Sequence, residues 1–82
     1  MSASAGAQFR RLRTLIADTL GVEESEVVPD ASFEDDLNAG REEIVDLIVA
    51  IEEEFGVRVD DAVMTDLQTV GDLQEYLEDK LA

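Results

Sequence analysis

Apolar residues recur at spacings of three and four in three stretches of the chain, which predicts three amphipathic helices. The helices are expected at about Ala7 to Leu20, Arg41 to Phe55 and Val70 to Leu81. Their apolar stripes comprise Phe9, Leu12, Leu15, Ile16 and Leu20; then Ile44, Leu47, Ile48, Ile51 and Phe55; and finally Val70, Leu73, Tyr76, Leu77 and Leu81. One stripe on each helix predicts an all-α bundle around a single core.

Residue types at the helix ends agree with these boundaries. Gly21 and Gly56 follow the first and second stripes, where a helix-ending glycine is expected. Thr69 precedes the last helix, and Asp72 stands at its third helical position, which predicts a variant of the capping box. A short additional helix is expected to begin at Asp60-Asp61, because acidic residues favour the positive end of a helix. Its candidate buried residues are Ala62, Val63 and Leu67.

The segments between the helices divide into a tail and one long loop. Residues 1–7 are small and weakly patterned, so we expect a flexible N-terminal tail or the fraying start of a helix, followed by one domain at 8–82. Gly21 to Gly40 is the long connection, and Pro29 argues against a helix through it. Val27, Val28 and Phe33 are its predicted apolar anchors.

Charge and composition exclude several classes of function. Six basic residues against 21 acidic ones give a net charge of −15, which favours basic partner surfaces and disfavours nucleic acid and anionic membranes. Cysteine and histidine are absent, which removes thiolate chemistry, the commonest general base and the commonest metal ligand. We therefore expect a cytoplasmic, monomeric protein that is not an enzyme, with no catalytic residues.

A calcium site is also not expected. Counting back from Gly40 as the sixth position of an EF-hand loop puts Asp35 at the first position but Leu37 at the third, where an oxygen ligand is needed. The sequence therefore predicts no metal site.

Residues 20–22, 31–47, 50–55 and 69–73, together with Tyr76, form a pattern that is specific in its joint order and spacing. This pattern resembles the acyl carrier protein family, whose prosthetic-group loop reads roughly F-x-x-D-L-G-A-D-S-L-D. The resemblance covers about residues 8–82. It implies an antiparallel four-helix bundle, with three main helices and one short helix. It also implies a carrier of acyl groups held as thioesters on 4′-phosphopantetheine.

The family's attachment serine is replaced in this chain. Arg41 stands at its position, between Gly40 in place of aspartate and Glu42 in place of an apolar residue. A guanidinium has no hydroxyl through which to form the phosphodiester, and no serine occurs from Phe33 to Ala82. Ser32 is expected to bond local backbone instead. We therefore expect no 4′-phosphopantetheine cofactor. Arg41 could pair with a neighbouring carboxylate of the loop or of the first helical turn.

The resemblance also implies a partner-binding surface on the second helix. By position, the family's acidic recognition residues match Glu43, Asp46, Glu52, Glu53 and Asp61, and its apolar contacts match Val45 and Val49. The helical pattern independently places both valines beside the core stripe, among acids that include Glu42. Boundary packing of the two valines is the alternative interpretation.

Together these observations predict an acyl-carrier-protein-like protein that binds enzymes without carrying the usual arm. The expected partners are basic surfaces of synthases or acyl transferases of fatty-acid, polyketide or peptide assembly. One alternative is a genuine carrier that uses a divergent attachment residue or holds an acyl chain non-covalently. Another is an acidic regulatory protein or nucleic-acid mimic.

Overall fold

The computed structural model describes the backbone of residues 2–81 and the side chains of residues 6–60, 62–63 and 66–81. Four helices lie within these residues: α1 (Ser2–Leu20), α2 (Arg41–Phe55), α3 (Asp61–Asp66) and α4 (Val70–Leu81). Glu24–Glu26 adds a turn of 3₁₀ helix. Within residues 2–81 strand pairing is limited to an isolated bridge between Ser32 and Thr69. The predicted all-α helical bundle is confirmed.

The first helix begins earlier than its pattern predicts. α1 starts at Ser2 and not near Ala7, so it includes most of the predicted tail. Small residues without an apolar stripe give no amphipathic signal, yet alanine has the highest helix propensity. The predicted helix start was therefore wrong, and the flexibility of residues 1–7 stays a prediction.

A single core joins the three long helices. α1 packs against both α2 and α4, and the largest fully buried side chains come from all three: Leu12, Ile16, Leu47, Ile51, Leu73 and Val70. Burying one such side chain stabilises the fold by about 1.5–3 kcal/mol relative to leaving it exposed. The predicted stripes thus form the core, with Phe9, Leu15, Leu20, Ile44, Phe55 and Tyr76 half-buried around it. Leu81 is the exception: it is 37% exposed, so its predicted place in the third stripe was wrong, because the last turn of α4 extends beyond the core.

The predicted helix ends are also confirmed. Gly21 and Gly56 adopt the left-handed conformation, with φ of 69° and 66°, in which glycine avoids the steric cost of a Cβ. At the start of α4, the Asp72 N–H donates to Thr69 Oγ1 and the Thr69 N–H donates to Asp72 Oδ2, both over 3.2 Å. This is the reciprocal capping box that the sequence predicts.

The long loop is anchored differently from the prediction in one respect. Val27 and Phe33 are buried as expected, but Val28 is 46% exposed, so its assignment as an anchor was wrong. Val27 fills the core position of this turn, and its neighbour points to solvent. Three further apolar residues of the loop are buried although the pattern did not single them out: Ala31, Leu37 and Ala39.

Backbone hydrogen bonds attach this loop to the start of α4. The Val70 N–H donates to Ala31 O over 3.0 Å, and the Gly71 N–H donates to Pro29 O over 2.9 Å. These bonds satisfy two of the N–H groups that every helix leaves unpaired in its first turn. The loop is thereby fixed on α4 before it reaches α2.

The short helix α3 buries less than predicted. Val63 and Leu67 are half-buried, whereas Ala62 is exposed, so its predicted burial was wrong. A helix of six residues makes fewer than two turns and can present only one narrow face to the core.

Candidate functional site

The junction between the long loop and α2 forms one end of the candidate site. Asn38 takes a positive φ of 56°, Gly40 is the N-cap of α2, and Arg41 is its first helical residue. The Gly40 N–H donates to Glu43 Oε1 over 3.4 Å. Glycine has no side chain with which to return a bond, so this is one half of a capping box. The junction therefore presents the side chain of Arg41 at the positive end of the helix.

Ser32 is engaged locally, as predicted. Its Oγ accepts a hydrogen bond from the Asp35 N–H over 3.2 Å, and its own N–H donates to Asp36 Oδ2 over 2.7 Å. These two bonds close the turn that follows Phe33. The hydroxyl nearest in sequence to Arg41 on its N-terminal side thus stabilises the loop.

Arg41 is exposed and has no ion-pair partner among the side chains that the structure describes. The candidate carboxylates were Asp35, Asp36 and Glu42, and none of them pairs with it. The absence of such a pair costs little stability, because an exposed ion pair contributes only about 0–1 kcal/mol. The guanidinium is therefore available for contacts outside the chain.

An open groove of about 700 Å³ lies beside Arg41, between the loop, α2 and the chain that follows α3. Its apolar wall comprises Phe33, Ala39, Ile44, Val45, Ile48 and Leu67. Its rim carries Arg41 together with the carboxylates of Glu34 and Asp35. The volume is in the range of about 300–1,000 Å³ that small-molecule sites occupy. Sequence reasoning did not find this groove, since its wall unites residues from three separate segments.

The outer face of α2 is acidic with an apolar centre. Glu42, Asp46 and Glu53 are exposed, and Val45 and Val49 are 45% and 48% exposed. Half-exposed valines are compatible with a docking surface and also with the boundary packing of the alternative interpretation. The arrangement matches the apolar centre and polar rim of protein interfaces.

Three other residues of the predicted face differ in their surroundings. Glu43 is half-buried at the N-cap of α2, as described above. Glu52 is half-buried, and its Oε2 accepts a hydrogen bond from the Val59 N–H over 2.9 Å. Both carboxylates therefore accept hydrogen bonds from backbone N–H groups of the same chain. The side chain of Asp61 lies outside the described residues.

The described residues include neither a candidate membrane span nor a candidate metal site. None of the helices there combines the length and the apolar character needed to cross a membrane. No three metal-ligating side chains among those described are grouped to hold an ion.

Comparison with known proteins defines the class of this small helical domain. The family described as "Phosphopantetheine attachment site" matches residues 10–77. The acyl carrier protein of Thermotoga maritima is 45% identical over 73 residues, which cover 89% of this chain and 90% of the relative. The acyl carrier protein of Thermosynechococcus vestitus is 43% identical over 74 residues, covering 90% and 91%. The chain belongs to the acyl carrier protein family.

Family membership confirms the coarser sequence predictions. Acyl carrier proteins are carriers and not themselves enzymes, and they interact with synthase and transferase enzymes. The family carries 4′-phosphopantetheine. The residues at the start of α2 do not fit that group by their chemistry: position 41 offers a guanidinium, and its neighbours Gly40 and Glu42 offer no hydroxyl.

Proposed function

We propose that this protein docks onto enzymes that act on acyl carrier proteins and carries no phosphopantetheine itself. The observation that supports it is Arg41, which is exposed and has no ion-pair partner among the described side chains, at the start of the acidic helix α2. The carrier scaffold and its docking face are retained, while the nucleophilic hydroxyl is missing. Such a protein would occupy a partner enzyme without offering it a substrate.

Electrostatics supports docking through α2. Coulomb attraction between its acids and a basic enzyme surface accelerates encounter and weakens as salt screens it. The exposed residues that would make these contacts are Glu42, Asp46 and Glu53, with Val45 and Val49 supplying the apolar centre. Glu43 and Glu52 would add negative charge at the edge of this surface without contacting the partner directly, because each carboxylate already accepts a backbone N–H of its own chain. The proposed setting is fatty-acid, polyketide or peptide assembly in the cytoplasm, with the protein acting as a monomer.

A competition assay tests this docking. The probe is a broad-specificity phosphopantetheinyl transferase that modifies a genuine acyl carrier protein with coenzyme A. We expect our chain to slow that reaction at low salt, and the double substitution E42K/D46K to weaken its inhibition about tenfold or more. E75K/E78K on α4 is a control with the same change in net charge. Equal effects of the two pairs would show that α2 is not the docking face.

A second candidate function is non-covalent binding of an acyl chain, which the groove beside Arg41 favours. Its apolar wall suits a hydrocarbon chain, and Arg41 would pair with the carboxylate of a free fatty acid. Glu34 and Asp35 on the same rim oppose an anionic head group, which is why this candidate is placed second. Titration of ¹⁵N-labelled protein with decanoate tests it. Saturable shifts at Ile44 and Ile48 that R41Q abolishes would support the candidate, and their absence would exclude it.

A further inference from the structure

The exposed side chains of α2 follow a fixed order along the helix. Residues four apart in a helix lie one above another, with an advance of about 40° at each step. Arg41, Val45, Val49 and Glu53 are spaced in this way, and all four are exposed. We call them the 41–53 stripe. It spans about 18 Å and presents a cation, two apolar side chains and an anion in succession.

The two ends of the stripe carry opposite charges, and only Arg41 differs in kind from the acids beside it. Glu42 and Asp46 form a neighbouring row that is purely acidic. Arg41 has no intramolecular partner among the described side chains, and Glu53 accepts none of the hydrogen bonds found there. Both charged ends of the stripe are thus free to meet charges on another molecule, on either side of its apolar centre.

We infer that the partner surface of α2 is not uniformly basic, and that it bears a carboxylate opposite Arg41 as well as a basic group opposite Glu53. The inference rests on the proposed docking function and names the partner's chemistry. A uniformly basic surface would place like charges together at Arg41, which disfavours association. Glu34 and Asp35 lie on the groove rim beside Arg41 and reduce this preference, so the partner's carboxylate has to contact Arg41 away from that rim. The occupant that fits is a partner helix with an acid, two apolar residues and a base at spacings of four. The arginine then selects among enzymes that would all accept an acidic helix.

Two stapled helical peptides serve as probes. Both carry two leucines four residues apart. The mixed peptide is flanked by a glutamate at one end and an arginine at the other, whereas the basic peptide is flanked by arginine at both ends. Affinities follow from ¹⁵N–¹H shift titrations of residues 41–53 at an ionic strength of about 0.15 M, where charges more than about 8 Å apart are screened.

The measured quantity is the ratio of the affinity for the mixed peptide to that for the basic peptide. We expect R41E to lower this ratio about threefold to tenfold. R10E makes the same change in net charge from an exposed position on α1, and we expect it to leave the ratio nearly unchanged. Equal ratios in R41E and R10E, or no saturable binding of the mixed peptide to the wild type, would overturn the inference. If the chain still inhibited the phosphopantetheinyl transferase in that case, docking through α2 would remain supported. Only the inference about the partner's mixed charges would then be wrong.

Discussion

Arg11 and Glu54, 43 residues apart in the sequence, join α1 to the end of α2. The Arg11 guanidinium donates from Nη2 to both the backbone O and the Oε2 of Glu54, each over 2.9 Å. Its carbon Cζ also lies 4.7 Å from the centre of the Phe55 ring. The backbone contact satisfies one of the carbonyls that the last turn of a helix leaves unpaired. One arginine thus holds the C-terminal end of α2, while Arg41 lies at its N-terminal end.

Removing that guanidinium should destabilise the bundle. The exposed ion pair contributes about 0–1 kcal/mol and the cation–π contact about 0.5–1 kcal/mol, so R11M should lower the free energy of unfolding by about 0.5–2 kcal/mol. Urea denaturation followed by circular dichroism measures the change. R10M is the control, because Arg10 is exposed and makes neither contact. Equal stability of the two variants would show that Arg11 contributes nothing beyond an ordinary surface arginine.

Gly71 should not tolerate a side chain. A Cβ at this position would lie 3.0 Å from the backbone O of Pro29, which is the atom that accepts the Gly71 N–H. Relief of the contact would require the loop to move away from α4, so G71A should cost about 1–2 kcal/mol despite the higher helix propensity of alanine.

The matched control for that substitution is G6A. Gly6 lies in α1, and a Cβ there would meet nothing within 4 Å. Alanine at this helical position should leave the stability unchanged or raise it by up to about 1 kcal/mol. Thermal unfolding of both variants compares them. A G71A protein as stable as G6A would mean that the loop is not held closely against α4.

The capping box of α4 should contribute measurably. T69A removes the acceptor of the Asp72 N–H, and D72A removes the acceptor of the Thr69 and Gln68 N–H groups. Each should cost about 1 kcal/mol, the usual loss for an N-cap replaced by alanine. E75A, at an exposed position of the same helix, should change stability by less than about 0.5 kcal/mol. If T69A and D72A lowered the stability by less than E75A does, α4 would not depend on its capping box.

These contacts differ in how far the sequence predicts them. The capping box of Thr69 and Asp72 joins residues three apart, so the spacing of suitable residue types is enough to predict it. The three core stripes follow from helical periodicity in the same way. Arg11 and Glu54 meet only because α1 packs on α2, and neither residue type specifies that partner. The charge of Arg11 predicts only that it lies on a solvated helix face.

The candidate site shows the same division between local and long-range information. The exposure of Val45 and Val49, and the local bonding of Ser32, follow from position on a helix and in a turn. The groove was not predictable, since Phe33, Ile48 and Leu67 come together only through the packing of three segments. The role of Glu43 has a local signal, because a glutamate three residues after an N-cap is half of a capping box. The role of Glu52 was hidden, because its partner Val59 lies beyond the end of α2.

Self-repulsion of the charged surface should make stability depend on salt. With a net charge of −15, screening by sodium chloride from low ionic strength to about 0.5 M should favour the compact state by about 1 kcal/mol. For a domain of this size, that raises the unfolding midpoint by about 4–8 °C. Potassium chloride at the same ionic strength should give the same rise, because screening depends on ionic strength. A midpoint that rises with neither salt would contradict the electrostatic explanation.

The proposed loss of covalent carriage rests on Arg41, and its neighbours provide the controls for testing the proposal. A Cβ at Gly40 would come no closer than 3.4 Å to the flexible Glu43 carboxylate, so aspartate can be accommodated there. R41S restores the hydroxyl alone, and G40D/R41S/E42L restores the family's whole tripeptide. Modification of the triple variant but not of R41S would show that the flanking residues also block the transferase.

The most direct measurement is the intact mass of the wild-type chain after incubation with coenzyme A and a broad-specificity phosphopantetheinyl transferase. A genuine acyl carrier protein in the same reaction confirms that the enzyme is active. We predict an unchanged mass for the wild type and the gain of one phosphopantetheine group for the triple variant. Gain of that group by the wild-type chain would contradict the account, and fragmentation would then identify the residue that carries it.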